Sequence, residues 1–376
     1  MSLELLNISR FSYSDIMNSY LDCRKTKRFS KAQLEFEINL EENLNELLNS
    51  INNYTYDPLP YNCFVISDPK YREVWAAQFR DRILHRLIYN TIGSYFEKRF
   101  IEDTFSCIKT RGVLKGIERL NTFCRKITNN WQYSNKMYFA KMDISNFFVS
   151  ISKTKLWNNY IDVIKNENLL ISKLVKQNIF HNCKKNCNIV TYKNFSGLPY
   201  KKSLFHTDDL HGLPVGNITS QFYSNLYLDS VDKFIKHELK IKYYVRYVDD
   251  MVILSENKSE LQSSIVKINE FLSDEKELTL AKNKTYINKI SNGITFLGSI
   301  IKPYKIIPTK RTIKNFSDSI IESKSSQFSE DSICSLQSYL GLLSHSNTFN
   351  LRTKLLSKIE IPILDFSDDY LIVKTL

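Results

Sequence analysis

Two adjacent acids, Asp249 and Asp250, lie between two β-rich arms, Tyr243–Val248 and Met251–Leu254. Apolar and β-branched side chains alternate in both arms, which reads as two strands, and an Asp-Asp step between strands is turn chemistry. The spacing predicts a tight hairpin with both acids at its tip. Carboxylates held side by side repel, and divalent cations relieve that repulsion most simply. Taken alone, such a pair reads first as a solvated turn, and the rest of the chain has to overturn that. A third acid, Asp143, ends an apolar strand beginning near Met137, and Phe147 and Phe148 follow it closely. Desolvating a carboxylate without a partner is costly, so an acid in that setting calls for one. Three carboxylates on one face of an antiparallel sheet could hold two Mg²⁺ ions about 4 Å apart, which would activate a hydroxyl and stabilise a leaving pyrophosphate.

The elements that must position these acids can be read outward from them. Residues 1–50 read as helical, with a basic run at Asp22–Arg28 that is either a solvated face or a phosphate contact. Phe64–Ile66 and Glu73–Ala77 read as paired strands around a turn carrying Lys70 and Arg72, cations that could reach a triphosphate or simply be exposed. A helix is predicted from Phe79 to about Phe100, one face apolar and the other dense with arginine, including Arg80 and Arg82. A second basic amphipathic helix is predicted over 112–132, where Arg111, Lys115 and Arg119 either follow a phosphate backbone or face water. Residues 153–182 read as helix and 183–206 as basic loop. The Gly/Pro-punctuated stretch Gly212–Gln221 reads as a tight loop opening a helix that runs to about Leu239. Further on come a helix over Ser259–Ser273, a hairpin over Gly293–Ile301, a basic segment from Lys302 to Lys314, and helices near Ser332–Leu343 and Leu351–Ile359.

Composition narrows the class. In 376 residues, 43% are hydrophobic and 13% aromatic, enough for a sizeable core and unlike a disordered chain. The net charge of +12 points to a polyanionic partner such as nucleic acid. With only nine glycines there is no glycine-rich phosphate cradle and no dinucleotide fingerprint. The start lacks the pattern of a signal peptide and no apolar run reaches spanning length, so a cytoplasmic protein without membrane contact is expected. Seven scattered cysteines fit reduced thiols. His181, Cys183 and Cys187 leave zinc open, although no second Cys-x-x-Cys knuckle completes a site.

Four motifs, in this order along the chain, resemble those of the reverse transcriptases. Arg80-Asp81-Arg82-Ile83 is similar to their fingers motif and Asp143-Ile144-Ser145-Asn146-Phe147-Phe148 to their first catalytic motif. Tyr247-Val248-Asp249-Asp250 is similar to their central acidic motif, and Phe296-Leu297-Gly298 to their primer-grip hairpin. The resemblance runs from about Arg24 to Phe316. It implies an α+β right-hand polymerase fold: fingers, a palm with an antiparallel sheet flanked by helices, and a short helical thumb. The implied boundaries are an N-terminal extension with fingers over 1–135, a palm over 136–302 with an insertion at about 152–211, and a thumb over 303–376.

The same resemblance implies roles. Asp143 and Asp249 would bind both Mg²⁺ ions, with Mn²⁺ able to substitute, while Asp250 would be a weaker ligand or support and the Ile144 carbonyl an added oxygen. Phe148 would be the steric gate against a ribose 2′-hydroxyl. Lys70 and Arg72 would contact the triphosphate of a dNTP, and Lys284, with Lys282 competing, would donate a proton to pyrophosphate. Arg80, Arg82, Phe296, Leu297 and Gly298 would lie along the template RNA and primer. Most relatives carry a Gln-Gly step where this chain has Val215-Gly216, ahead of Gln221. Val-Gly-x-x-x-Ser-Gln looks like the reverse transcriptases of diversity-generating retroelements, as do Lys70-Tyr71-Arg72-Glu73 and Tyr244-Val245-Arg246-Tyr247. That branch implies error-prone synthesis and a small basic accessory protein. An antiphage defence enzyme copying a non-coding RNA is the alternative, and a non-catalytic RNA-binding scaffold a remote one.

Overall fold

The computed structural model describes residues 8–25, 29–67, 70–167, 169–190, 195–326 and 329–357, with two short strands beyond. Three helices come first, α1 (Tyr13–Arg24), α2 (Lys31–Glu37) and α3 (Leu40–Asn52). The first starts on a capping box, in which Ser12 and Asp15 each accept the other's backbone N–H. Strands β1 (Tyr61–Ile66) and β2 (Arg72–Ala76) lead into α4 (Phe79–Glu97) and α5 (Val113–Ile127). Then come β3 (Tyr138–Asp143), α6 (Phe147–Ser150), α7 (Lys153–Ile164), α8 (Leu170–Phe180) and β4 (Cys187–Ile189). Helix α9 (Ile218–Lys233) is followed by the hairpin β5 (Tyr243–Tyr247) and β6 (Asp250–Ser255), and then by α10 (Lys258–Lys276). Strands β7 (Tyr286–Lys289), β8 (Ile294–Phe296), β9 (Ser299–Lys302) and β10 (Lys305–Pro308) precede α11 (Lys310–Ser325), α12 (Glu330–Ser344) and α13 (Phe349–Leu356). A small pair, β11 (Leu364–Phe366) and β12 (Val373–Thr375), comes last.

Contacts divide this mixed α+β chain into two compact units, each built from separate stretches of sequence. The first takes residues 1–108, 143–240 and 266–282; the second takes 109–142, 241–265 and 283–376.

The first unit is built on α4, whose Ile83, Leu84, Leu87, Ile88 and Ile92 are buried among α1 and α9. Asp81 is fully buried there and accepts from the Tyr56 hydroxyl at 2.9 Å and the Leu59 N–H at 2.8 Å, fixing the proline-bearing loop ahead of β1. Burial pushes its carboxyl pKa up, against the opposing pull of Arg80 and these hydrogen bonds. The sheet order is β2-β1-β4, with β1 antiparallel to β2 and parallel to β4. Its buried side, Tyr61, Cys63, Trp75 and Ala77, packs on Cys183 and Leu204. Glu73, 5% exposed, accepts from Trp75 Nε1 at 2.6 Å, Leu204 N at 2.8 Å and Ser203 Oγ at 2.5 Å, stapling the 203–204 turn to β2.

The second unit carries a four-stranded sheet ordered β5-β6-β3-β7, with α5 packed on β5 and β6 through Ile117, Leu120 and Phe123. The Phe123 ring meets Tyr243 edge-on at 5.3 Å. A three-stranded antiparallel sheet, β10-β9-β8, leads into helices whose core is Phe316, Leu336, Leu340, Leu343 and Leu356.

Several expectations need correction. The helix predicted over 112–132 stops at Ile127, because Asn129, Asn130 and Trp131 all take positive φ (49°, 55° and 77°), which no right-handed helix accommodates. The single helix over 153–182 is two, α7 and α8. The basic loop over 183–206 contains β4, and the basic segment after Lys302 contains β10 and the start of α11. The C-terminal helix expected near Leu351–Ile359 is α13, which ends at Leu356, while residues 358 and 359 lie outside the described residues. Residues 26–28 of the basic run, and 68–69 of the turn before Lys70, lie outside the described residues. None of the cysteines is in a disulfide among the described residues. Cys183 is 2% exposed and burial pushes its thiol up to about 12, while the His181 ring packs on Tyr61 at 5.3 Å.

Candidate active site

In the second unit, β5 and β6 pair from Tyr243↔Leu254 to Tyr247↔Asp250. That register leaves Val248 and Asp249 as a two-residue turn. The expectation that both acids share the tip is therefore corrected: Asp249 stands in the turn and Asp250 is the first residue of β6. Strand pairing decides this, since a two-residue loop is the shortest that joins antiparallel neighbours. Val248 pays a conformational cost there, with φ of 55°, a region poorly suited to a β-branched residue. Arg246, 0% exposed, donates from its guanidinium to the Val248 carbonyl at 3.0 Å and braces the turn from inside the sheet.

Both acids are half-buried. Lys141, on neighbouring strand β3, places Nζ 3.1 Å from Asp250 Oδ2 and donates to the Thr295 carbonyl of β8 at 2.8 Å. One ammonium thus ties the acidic hairpin to the hairpin containing Phe296, Leu297 and Gly298. Partial burial, and then the Asp250 charge, push the Tyr286 phenol up from its ordinary range. Phe296 is fully buried, and Leu297 (φ 49°) and Gly298 (φ 82°) form the turn to β9. The Gly298 carbonyl accepts from Thr309 N and Thr312 Oγ1, both at 3.0 Å, which anchors the start of α11. Lys284 sits exposed on the short 3₁₀ turn before β7.

In the first unit, Asp143 ends β3, and its carbonyl accepts from Ala281 N at 2.8 Å. Ile144 is buried and forms an isolated bridge to Leu280, and Ser145 N donates to Thr279 O at 2.9 Å, so the backbone just past the acid is held along the 279–281 segment. Asn146 takes a left-handed conformation and turns the chain into α6, which sends Phe147 into the core and leaves Phe148 half-buried. The Phe148 carbonyl accepts from Leu213 N at 2.8 Å, joining α6 to the 212–217 loop. That loop is tied to β2 as well: the Val215 carbonyl accepts from Trp75 N at 2.7 Å, and Asn217 Nδ2 donates to Trp75 O at 2.9 Å. Gly216 has φ of 119°, and a Cβ there would stand 3.0 Å from Val74 Cγ1 and 3.2 Å from Trp75 O, so the close strand contact requires glycine.

Gly216 and Gln221 come together with Arg82 around a hollow of about 390 Å³, lined also by Arg86 and His85. His85 is 2% exposed, its Nδ1 has no hydrogen-bond partner among the described residues, and burial pushes its pKa down to about 3. Gln221 Oε1 accepts from Cys107 Sγ at 3.2 Å. Arg82 Nε donates to Ala77 O at 2.7 Å, and Arg80 Nε pairs with Asp81 at 3.1 Å. Lys70 and Arg72 are exposed at the start of β2. Two residues at the acidic hairpin, Lys141 and Arg246, escaped sequence reasoning. Their signal was a lone cation inside each apolar strand, which is rarely tolerated without a partner.

Adjacent carboxylates supply the hard oxygen donors that Mg²⁺ prefers, so the chemistry of Asp249 and Asp250 suits that ion. Among the described residues, no three His, Cys, Asp or Glu side chains are grouped to hold a metal, either here or around Cys183.

Comparison with known proteins supplies the class. Residues 67–301 match the family "Reverse transcriptase (RNA-dependent DNA polymerase)". A protein named after intron 2 of COX1/OXI3 in Saccharomyces cerevisiae is 21% identical over 290 residues, covering 60% of this chain. The chain spans about 30% of that relative's length. The family match extends over more than half of the chain and contains both acidic motifs. The chain belongs to the reverse transcriptase family, whose members are RNA-directed DNA polymerases. No helix among the described residues is long and apolar enough to cross a membrane.

Proposed function

We propose that this chain copies RNA into DNA by nucleotidyl transfer from dNTPs, with Asp143, Asp249 and Asp250 as its catalytic acids and the fingers, palm and thumb boundaries read from the sequence. The observation that carries this is the braced two-residue turn at Val248-Asp249, inside the family match. Bound Mg²⁺ would supply Lewis acidity and charge neutralisation at the transferred phosphate. The chain's own contribution is positional. Arg246 holds the turn in a conformation that valine resists, and Lys141 fixes the orientation of the Asp250 carboxylate. Lys70 and Arg72 are exposed cations suited to a triphosphate.

Primer extension on an RNA template with Mg²⁺ tests the reading. Asp249→Ala should abolish extension, and extension that survives this substitution would return the acids to a structural role.

The finer reading is the error-prone enzyme of a diversity-generating retroelement, working with a small basic accessory protein. Val215 supports it. Its backbone is pinned to Trp75, and its aliphatic side chain offers no hydrogen bond where a glutamine would. Sequencing the cDNA should show misincorporation concentrated opposite template adenine and reduced in Val215→Gln. Errors spread evenly over template bases and unmoved by Val215→Gln would remove this reading while leaving polymerisation intact.

A further inference from the structure

The second unit contains an open hollow of about 490 Å³ whose lining includes none of the residues assigned to polymerisation. It lies between the end of α5 and the β9–β10 turn, lined by Arg125, Asn130, Trp131, Tyr304, Lys305 and Asn347, and none of its lining residues is acidic. Four non-glycine residues at its margin take left-handed backbone: Asn129, Asn130, Trp131 and Tyr304, at φ 49°, 55°, 77° and 65°. Asparagine tolerates that region, whereas tryptophan and tyrosine are outliers in it. Such conformations cost energy and persist where surrounding structure enforces them, and they gather at binding sites.

Here the enforcement is visible. Asn130 N donates to Arg125 O at 2.8 Å, Trp131 N donates to Thr128 Oγ1 at 2.9 Å, and Arg125 Nε donates to Asn130 Oδ1 at 2.9 Å. On the other wall, Asn347 exchanges two hydrogen bonds with Ile306, each within 2.9 Å. The result is a rigid frame presenting an exposed tyrosine ring, 77% accessible and 6.5 Å from the Trp131 ring, beside two cations and several amides. The size falls in the range of small-ligand sites, about 300–1,000 Å³. Aromatic faces stack bases, amides meet base edges, and cations meet phosphate.

We propose that this hollow holds one nucleotide of single-stranded RNA, base stacked on Tyr304 and phosphate against Arg125 and Lys305. It is an anchoring site separate from the acids that carry the polymerase reading. The proposal rests on the chain handling RNA, as that reading holds, but it requires no turnover.

The test uses the full chain with Asp249→Ala, so binding is read independently of synthesis. Fluorescence anisotropy with a labelled unstructured RNA oligonucleotide is compared for that chain and for versions also carrying Tyr304→Ala or Lys305→Glu, both at exposed positions. Tyr304→Ala should weaken binding about tenfold, the usual worth of one stacked base. Lys305→Glu should also weaken it, by a factor relative to the parent chain that grows as salt is lowered. Ultraviolet crosslinking followed by peptide mapping should place an RNA adduct on Tyr304 or Trp131. Unchanged affinity in both variants, with adducts elsewhere, overturns the site even if the wild-type chain extends primers. Competition by free AMP as strong as by the oligonucleotide would replace RNA anchoring with free-nucleotide binding and equally overturn it.

Discussion

Arg246 shows how much one side chain can decide. A guanidinium at 0% exposure inside an apolar strand is costly unless its hydrogen bonds are made, and one of them goes to the carbonyl of the strained Val248. Removing it releases the turn that carries Asp249. Arg246→Leu is expected to lower unfolding free energy by about 2 kcal/mol, the scale of a hydrogen bond to a charged group. It should also slow extension at saturating dNTP more than it changes apparent dNTP affinity. Urea unfolding and steady-state kinetics check the two parts; wild-type stability with wild-type rate would remove the brace. Phe148 makes a second residue-scale prediction. It is half-buried beside fully packed Phe147, and its backbone is fixed by Leu213. Phe148→Ala should therefore leave the fold intact and admit ribonucleotides, seen as extension with NTPs alone. Sugar selection unchanged from wild type would make the ring simply part of the core.

At the scale of elements, the His211 clasp makes a pH-dependent prediction. His211 Nδ1 lies 2.8 Å from Asp208 and Nε2 lies 3.0 Å from Glu277, at the end of α10. Partial burial opposes the charged ring, but the hydrogen bonds to Glu277 and Asp208 prevail and raise its pKa. A raised folded pKa means the stabilisation is complete below the unfolded value, about 6.5, and is lost as pH rises through the folded one. Glu277 and Asp208 are both shifted down, Glu277 chiefly by His211 and Asp208 by His211 against its own desolvation, so their share is lost on acidification. The clasp should be strongest between those limits, and His211→Gln should flatten the decline in urea midpoint from pH 6 to 8. An identical pH profile for wild type and variant would exclude it.

The elements also show what could be read in the sequence. The central hairpin, the β1–β2 pair and α4 announce themselves by local alternation or helical periodicity. β4 does not: it is Cys187-Asn188-Ile189 in a polar stretch, and its partner β1 is far away in sequence. β10 is masked by Lys305 and closed by Pro308. Asp250 belongs to a strand because of register, which an Asp-Asp pair does not specify. The candidate acids, the Phe148 position and the Val215 loop were legible as residue types in order. The roles of Lys141 and Arg246 were not legible: Lys141 finds Asp250 by pairing across strands, and Arg246 finds the Val248 carbonyl only once the turn has formed.

At the scale of the molecule, a net charge of +12 and membership in a family that handles RNA point to binding through phosphates. Affinity for a template–primer duplex should fall linearly on a log–log plot against salt, with a slope of several units. Filter binding from low to moderate KCl checks it, and a flat response would assign most of the affinity to bases and stacking. The division into units has a further consequence, for how the chain is made. Each unit is assembled from three separate stretches, and the first is not complete until Lys282. No single cut releases either unit whole. During synthesis the early helices α1 to α4 must therefore wait for much of the remaining chain before their unit can close. Non-local closure of this kind slows folding and leaves apolar surface exposed in the interval. On a ribosome, that interval is when a basic, half-built chain would most readily meet RNA.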